Sequence, residues 1–463
     1  MWKFCLINQI LVLAFLQDVT SFAANQPGHD IASTPLGEDT PLFLTPYIEK
    51  GDIKEALKLA TVRPTFKNIE SFSGFLTINK TTDSNLFFWL FKSQRGNWQE
   101  RPLVVWLSGG PGTSSLVGLL TGQGPYKLAE SNTLKRRRIT LNRDYNMLFI
   151  DNPIGAGFSF TSMDSGYART DWDTVLSLYE GLSQIYQLFP ALRRTKLFLY
   201  GNSYAAKSAF GIGCKIHEMN KVSILKMSLA GVMVSATVLS PVDMMYHATH
   251  LQELSLIDSK TADAFKMEED RIRNSIKAGN TVQAYDDYSR YLDTIATTTG
   301  LRYLFDLVND ETRGSGSERD FLNDAKTKRM IHVGDRAYQS SKETKRHMRA
   351  DIMTSGRLWL EKLLLTDDVP ILIFSGHLDL FAPYYLSLKL YDTLRWPRAR
   401  EYSAAKRCPF RIGDQVAWYS KTTGPFTEVL VRNAGHLVSF KQRKWEYVLM
   451  ERFMNDSQSF KCE

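Results

Sequence analysis

The chain has 463 residues, 43% hydrophobic and 23% charged, which is the balance of a folded globular protein with a sizeable core and excludes a disordered or fibrous chain. Its 57 basic and 49 acidic residues leave a formal charge of +8 in scattered short runs, Lys135-Arg136-Arg137-Arg138 and 342–349 among them. These runs lack interleaved aromatics and read as solvated faces, with a processing cut at 135–138 as an alternative, so no nucleic acid is expected as a partner.

Residues 1–23 combine an early Lys3, an apolar run from Ile7 to Leu16 and a small-x-small Ser21-Phe22-Ala23, the pattern of a cleaved signal peptide. No later segment reaches the ~18 uninterrupted apolar residues that a membrane helix needs, so a soluble protein of the secretory pathway is expected, with no membrane partner. Removing the signal takes Cys5 and leaves Cys214, Cys408 and Cys462. Cys214 falls in a small-residue helix, which makes Cys408 with Cys462 the expected pair. Asn79-Lys80-Thr81 and Asn455-Asp456-Ser457 are glycosylation acceptors that suit an exported chain.

From Asn25 to about Phe66 the sequence is irregular and is expected to form an extended arm, with one amphipathic helix over Ile53–Ala60. Residues 72–78 and 86–91 read as edge strands. Continuous apolar runs at 102–107, 146–151, 196–200, 230–235, 370–375 and 428–431 predict buried strands, and helical patterns such as 173–188 lie between several of them. The expected fold class is therefore α/β, with a mostly parallel central sheet and helices on both faces. Residues 240–362 break the alternation: they are charged, helix-patterned and strand-poor, with a flexible joint at Gly314-Ser315-Gly316-Ser317. The expected organisation is a core in two parts, 24–239 and 363–463, with 240–362 inserted as a helical lid over the carboxyl ends of the strands.

The chemistry is organised around Leu197-Phe198-Leu199-Tyr200-Gly201-Asn202-Ser203-Tyr204-Ala205. A strand that ends at a glycine, presents a serine and enters a helix of small residues is a nucleophile elbow, which exposes Oγ and directs the next backbone N–H into the same space. Taken alone, the same pattern also fits a helix-capping serine. In an α/β sheet of this kind the carboxylate and then the histidine follow the nucleophile in the chain, each at a strand's carboxyl end. Asp379 follows the run at 370–375 and His436 follows the run at 428–431, giving a catalytic set of Ser203, Asp379 and His436. His436 would accept the serine proton while Asp379 holds its tautomer. His377 is the only rival histidine and reads as a loop residue, and His247 with His250 lacks a third ligand, so no metal and no cofactor is expected. For the oxyanion hole the N–H of Tyr204 needs a second donor, and Gly110, in Gly109-Gly110-Pro111-Gly112, is the candidate.

The stretches Trp106–Ser115 and Phe149–Ser159, the serine elbow and the Asp379 and His436 contexts together resemble the serine carboxypeptidases of the α/β-hydrolase fold over about Phe66 to Met454. Thr113 stands where many members have a cysteine, which is most similar to the vitellogenic-type branch. The resemblance implies a secreted or lysosomal exopeptidase that removes C-terminal residues of peptides through an acyl-enzyme. It also implies that the terminal carboxylate is gripped by an asparagine or glutamine before the Gly-Gly-Pro-Gly loop, a glutamate before a Gly-Pro, and a glutamate before the nucleophile. This chain has Ser108, Gly122 and Asn202 there. The paired acids that would share a proton are missing, so activity is expected to be weaker, with an optimum nearer neutral. The substrate-binding set is then Ser108, Gly109, Asn202 and Gln123, the last two offering amide N–H groups. Two other readings keep the fold: an esterase or acyltransferase on the same triad, and a catalytically weak secreted binding protein.

Overall fold

The computed structural model describes residues 40–62, 69–129, 133–309 and 317–461. The signal-peptide pattern, Cys5, Cys462 and most of the Gly-Ser joint lie outside these residues. Its framework is an eleven-stranded sheet in the order β1-β2-β3-β7-β4-β8-β9-β10-β13-β12-β11. The strands are β1 (Thr61–Val62), β2 (Ser71–Asn79), β3 (Ser84–Phe91), β4 (Leu103–Leu107), β7 (Asn146–Ile150), β8 (Leu197–Asn202), β9 (Leu229–Ser235), β10 (Ile371–Gly376), β11 (Cys408–Ile412), β12 (Gln415–Thr423) and β13 (Phe426–Val431). A separate hairpin pairs β5 (Tyr126–Leu128) with β6 (Leu134–Arg136).

From β7 to β13 every neighbouring pair is parallel, and the strands flanking this block are antiparallel. The central strands are apolar throughout because both of their faces are covered. Successive side chains divide cleanly: Leu103, Val105, Leu197, Leu199, Ile371 and Ile373 join one core, while Val104, Trp106, Phe198, Tyr200, Leu372 and Phe374 join the other. Helices Asp171–Leu188, Ala205–Val222 and Arg357–Thr366 cover the first face. Helices Ser115–Thr121 and Val438–Asn455 cover the second.

Three sequence expectations change. The described part of the arm, 40–62, forms helices Thr45–Lys50 and Ile53–Ala60, and Leu42, Leu44, Ala56 and Ala60 are buried in the core. Strands β11 and β12 extend the sheet where no strand is expected; their sequences mix polar and apolar residues, as suits an edge with one wet face. The basic run at 135–138 is not simply solvated, because Arg137 turns inward and donates from Nε to the Tyr126 carbonyl at 2.9 Å and from Nη2 to the Leu120 carbonyl. Cys408 is disulfide-bonded, with its partner outside the described residues, and Cys214 is buried and free.

Between β9 and β10 the described residues contain helices and no strand, the longest being Ser259–Lys277 and Thr281–Thr299. Asp258 caps the first by accepting from Thr261 N at 2.8 Å, and Arg271 to Asp287, at 2.8 Å, ties the two together. Their apolar faces form a third core with Met245, Phe265, Tyr291 and Met353, and this core includes Tyr204 and Leu380 from the sheet's active edge. The helical segment is thus packed onto the residues that flank Ser203 and Asp379.

Candidate active site

Ser203 follows the last residue of β8 and has φ +57°, a left-handed conformation that costs a non-glycine residue free energy. Ladder and helix hold it there: Ser203 N donates to the Ser235 carbonyl at 2.8 Å, and Ala206 N to the Ser203 carbonyl at 3.1 Å. The helix can start so close to the strand because its first residues are small. A Cβ on Gly201 would lie 2.5 Å from the Ala205 carbonyl oxygen and 2.9 Å from the Ala209 Cβ.

Gly109 shows the same constraint from the other side, since a Cβ there would meet Asn202 O at 2.5 Å and Tyr204 N at 2.9 Å. The 109–112 loop therefore lies directly against the elbow. Asp151 fixes it in place, accepting from Ser114 Oγ at 2.5 Å, Ser115 N at 3.0 Å and Phe158 N at 2.8 Å. Burial pushes the Asp151 carboxyl up to about 6, against the pull of these hydrogen bonds. Among the described residues neither the Gly110 N–H nor the Tyr204 N–H has a backbone acceptor, so two donors beside the serine are free for a substrate oxygen.

The chain brings Asp379 and His436 together from the ends of β10 and β13. His436 Nδ1 is 2.8 Å from Asp379 Oδ2, and Asp379 Oδ1 accepts from Phe381 N and Ala382 N at 2.9 and 3.0 Å. Both are buried, Asp379 at 1% and His436 at 4% exposure, and Ser203 and His436 line one cleft. The helical segment reaches in here as well: the Phe305 carbonyl accepts from His436 N at 2.7 Å, and its ring stacks on the imidazole at 4.4 Å while Phe381 meets it edge-on at 5.3 Å. Phe305 has no signal in the sequence, because it sits in a segment without strand or motif. His377 is exposed and is not among the residues that line the cleft. His247 is buried with Nε2 3.1 Å from the Phe381 carbonyl, and burial pushes its pKa down to about 4. Among the described residues no group of three His, Cys, Asp or Glu side chains could hold a metal ion.

The helix behind the elbow carries a buried cation. Lys207 Nζ is 3.0 Å from Asp171 Oδ2 and 3.1 Å from the Ile352 carbonyl, and lies 4.6 Å from the centre of the Tyr204 ring. It links the elbow, the sheet-covering helix and the helical segment.

Two cavities meet at Ser203, and Gly110, Lys345 and Phe381 line both. One, of about 1070 Å³, runs under the helical segment past Met244, Met245, Tyr288, Leu292 and Met353. The other, of about 1020 Å³, runs along Ser108, Gly109 and Asn202 to Trp106, Gly118, Gly122 and Glu446. Asn202 Nδ2 already donates to Ser235 Oγ at 2.8 Å, and Tyr200 OH is 2.6 Å from the same hydroxyl. Gln123 does not line this cavity. It is fully buried and turned toward the last long helix, where Nε2 donates to Glu446 Oε2 at 2.7 Å and to the Arg443 carbonyl at 3.1 Å. The side chain that does reach the cavity is Glu446, missed in the sequence because it lies mid-helix, with no motif around it.

A nucleophile elbow, a buried Asp–His pair and free N–H donors on this sheet define an α/β-hydrolase. The same fold is found in a prohormone-processing carboxypeptidase from Saccharomyces cerevisiae, with a TM-score of 0.76 at 20% identity over 86% of this chain and 95% of that one. Residues 62–456 match the serine carboxypeptidase family, and the chain belongs to it. Among its relatives are a venom serine carboxypeptidase of Apis mellifera, 35% identical over 90% of this chain and 91% of the relative, and a vitellogenic carboxypeptidase of Aedes aegypti, 30% identical over 89% of each. A probable serine carboxypeptidase of Homo sapiens is 31% identical over 92% of each chain.

Proposed function

We propose that this protein is a secreted or lysosomal serine carboxypeptidase, with Ser203 as nucleophile, His436 as general base and Asp379 as the group that orients it. The observation that carries the reading is the 2.8 Å His436–Asp379 contact beside a serine held at φ +57°, in a member of this family. With Nδ1–H donated to Asp379, the Nε2 atom of His436 is the proton acceptor. Ser203 Oγ attacks the scissile carbonyl, the Gly110 and Tyr204 N–H groups take up the developing oxyanion, and His436 returns the proton to the leaving amine. Water then attacks the acyl-enzyme by the same route.

The Met- and Tyr-lined cavity fits a large apolar side chain on the acyl side of the bond, and the Glu446 cavity takes the departing residue. Labelling with a fluorophosphonate, together with release of free amino acid from an N-blocked dipeptide, tests the assignment. Ser203→Ala is expected to abolish both. Labelling of the wild type without amino acid release would favour an esterase or acyltransferase, and no labelling would favour a binding protein.

A further inference from the structure

A departing C-terminal residue carries a free carboxylate, so the cavity that receives it has to accommodate negative charge. Among the residues lining that cavity, Lys345 is the one Lys or Arg, and it sits beside Ser203, at the junction with the apolar cavity. The far end is closed by an acid. Glu446 is 2% exposed, lies on the helix Val438–Asn455 past a break at Gln442, and is pinned from behind: Gln123 Nε2 and Ser439 Oγ both donate to Oε2. Among the described residues Oε1 takes no hydrogen bond, although Glu446 lines the cavity.

We propose that Glu446 is a proton-gated contact for the substrate's terminal carboxylate: protonated, its carboxyl O–H donates to that carboxylate, and ionised, it repels it. The proposal rests on the exopeptidase reading above and names the residue that gives it pH dependence.

The surrounding structure explains why the acid comes from this helix. A Cβ on Gly122 would lie 2.6 Å from both the Gly118 carbonyl oxygen and the Trp106 ring, so the turn leaves no room for a side chain of its own. The helix docks on that bare turn, Arg443 donating from Nη1 to the Gly122 carbonyl and from Nη2 to the Thr121 carbonyl at 2.6 Å. Glu446 is thereby delivered next to the glycine. Trp106 Nε1, buried without a partner among the described residues, belongs to a ring that lines the same cavity and packs at 3.8 Å against Tyr200, tilted by 33°.

The charges facing Glu446 are few. Arg443 lies on its own helix, with its guanidinium committed to two carbonyls, and Arg137 approaches Arg443 from the β6 side. Tyr200 on β8 is neutral, and His436 and Lys345 stand at the other end of the cavity. Burial accordingly dominates and pushes the Glu446 carboxyl up to about 7, with the Gln123 hydrogen bond and Arg443 opposing it. The contact is present below that pH and lost as pH rises through it.

The test compares KM for an N-blocked dipeptide with that for its C-terminal amide across about pH 6 to about pH 9. The catalytic groups are common to both substrates, so the ratio of the two KM values isolates the carboxylate contact. In the wild type the ratio is expected to rise above about pH 7, approaching tenfold per pH unit. Glu446→Gln, which carries a permanent N–H donor, is expected to make it flat. Gln123→Met removes a donor that favours the ionised form and is expected to move the rise to higher pH, which decides the matter should the first variant fail to fold. A ratio that does not vary with pH in the wild type, or that varies unchanged in Glu446→Gln, overturns the proposal. Failure of the wild type to cleave either substrate would instead count against the exopeptidase reading.

Discussion

On one side of Ser203 the cavity is walled by Met244, Met245, Leu292 and Met353, drawn mostly from the helical segment; on the other it is walled by glycines, Ser108, Asn202 and a buried glutamate, drawn from the sheet edge and the last helix. Under the proposed assignment the first side selects by burying apolar area, a non-directional effect that tolerates varied side chains. The second has to place individual polar atoms, so each substitution there changes what can bind. Between them His436 is hydrogen-bonded to Asp379 and stacked by Phe305. A site of this kind can alter its preference on either side without altering its reaction.

The largest effect should strike both sides equally. Ser203→Ala is expected to lower kcat on the order of 10⁶-fold for peptide and ester substrates alike, measured by amino acid release and by chromogenic ester hydrolysis. A loss confined to peptides would break the claim that the two cavities share one nucleophile. Asp379→Asn should lower kcat by about 10⁴-fold with little change in KM, because it disturbs the His436 tautomer and leaves both cavities intact.

Lys207→Met tests what holds the apolar side in place. Removing the cation leaves Asp171 buried and unpaired and frees the Ile352 carbonyl, so a loss of ~3–5 kcal/mol in unfolding free energy is expected by denaturant titration. Unchanged stability would mean that the ion pair does not link elbow and helical segment. On substrates, an acyl-side Leu or Phe should exceed Gly in kcat/KM by about 10- to 100-fold, the value of burying one large apolar side chain. Equal rates would remove the assigned difference between the cavities. The smallest change is Gly122→Ala, expected to cost about 1–3 kcal/mol because its methyl group meets Trp106 and the Gly118 carbonyl at 2.6 Å. A neutral result would show that the turn has room for a side chain after all.

The central strands were legible because burial on both faces leaves an unbroken apolar run, a pattern carried by a few consecutive residues. The elbow was legible for a similar reason: only small residues fit at Gly201 and Ala205. The order of Ser203, Asp379 and His436 followed from where strands end. The edge strands β11 and β12 were not legible because their mixed sequences lack an unbroken apolar run, the inward turn of Arg137 because no local pattern shows it meeting the Tyr126 and Leu120 carbonyls, and the helix Thr45–Lys50 because it is settled by distant contacts such as Thr45 Oγ1 donating to Gln184 Oε1 at 2.7 Å. Gln123 is the clearest case. Its position one residue past Gly122 suggested the cleft, and the orientation of its side chain is set by Glu446, Arg443 and Ser439 on a helix more than three hundred residues later.

By itself, then, the sequence placed Ser203, Asp379 and His436 in chain order after the apolar runs that become β8, β10 and β13, because backbone sterics and apolar runs are local constraints. Only the tertiary structure decided that Glu446 lines the cavity beside Ser203. That choice depends on how the helix Val438–Asn455, broken at Gln442, rests its arginine on a turn of glycines, and no local pattern encodes that contact.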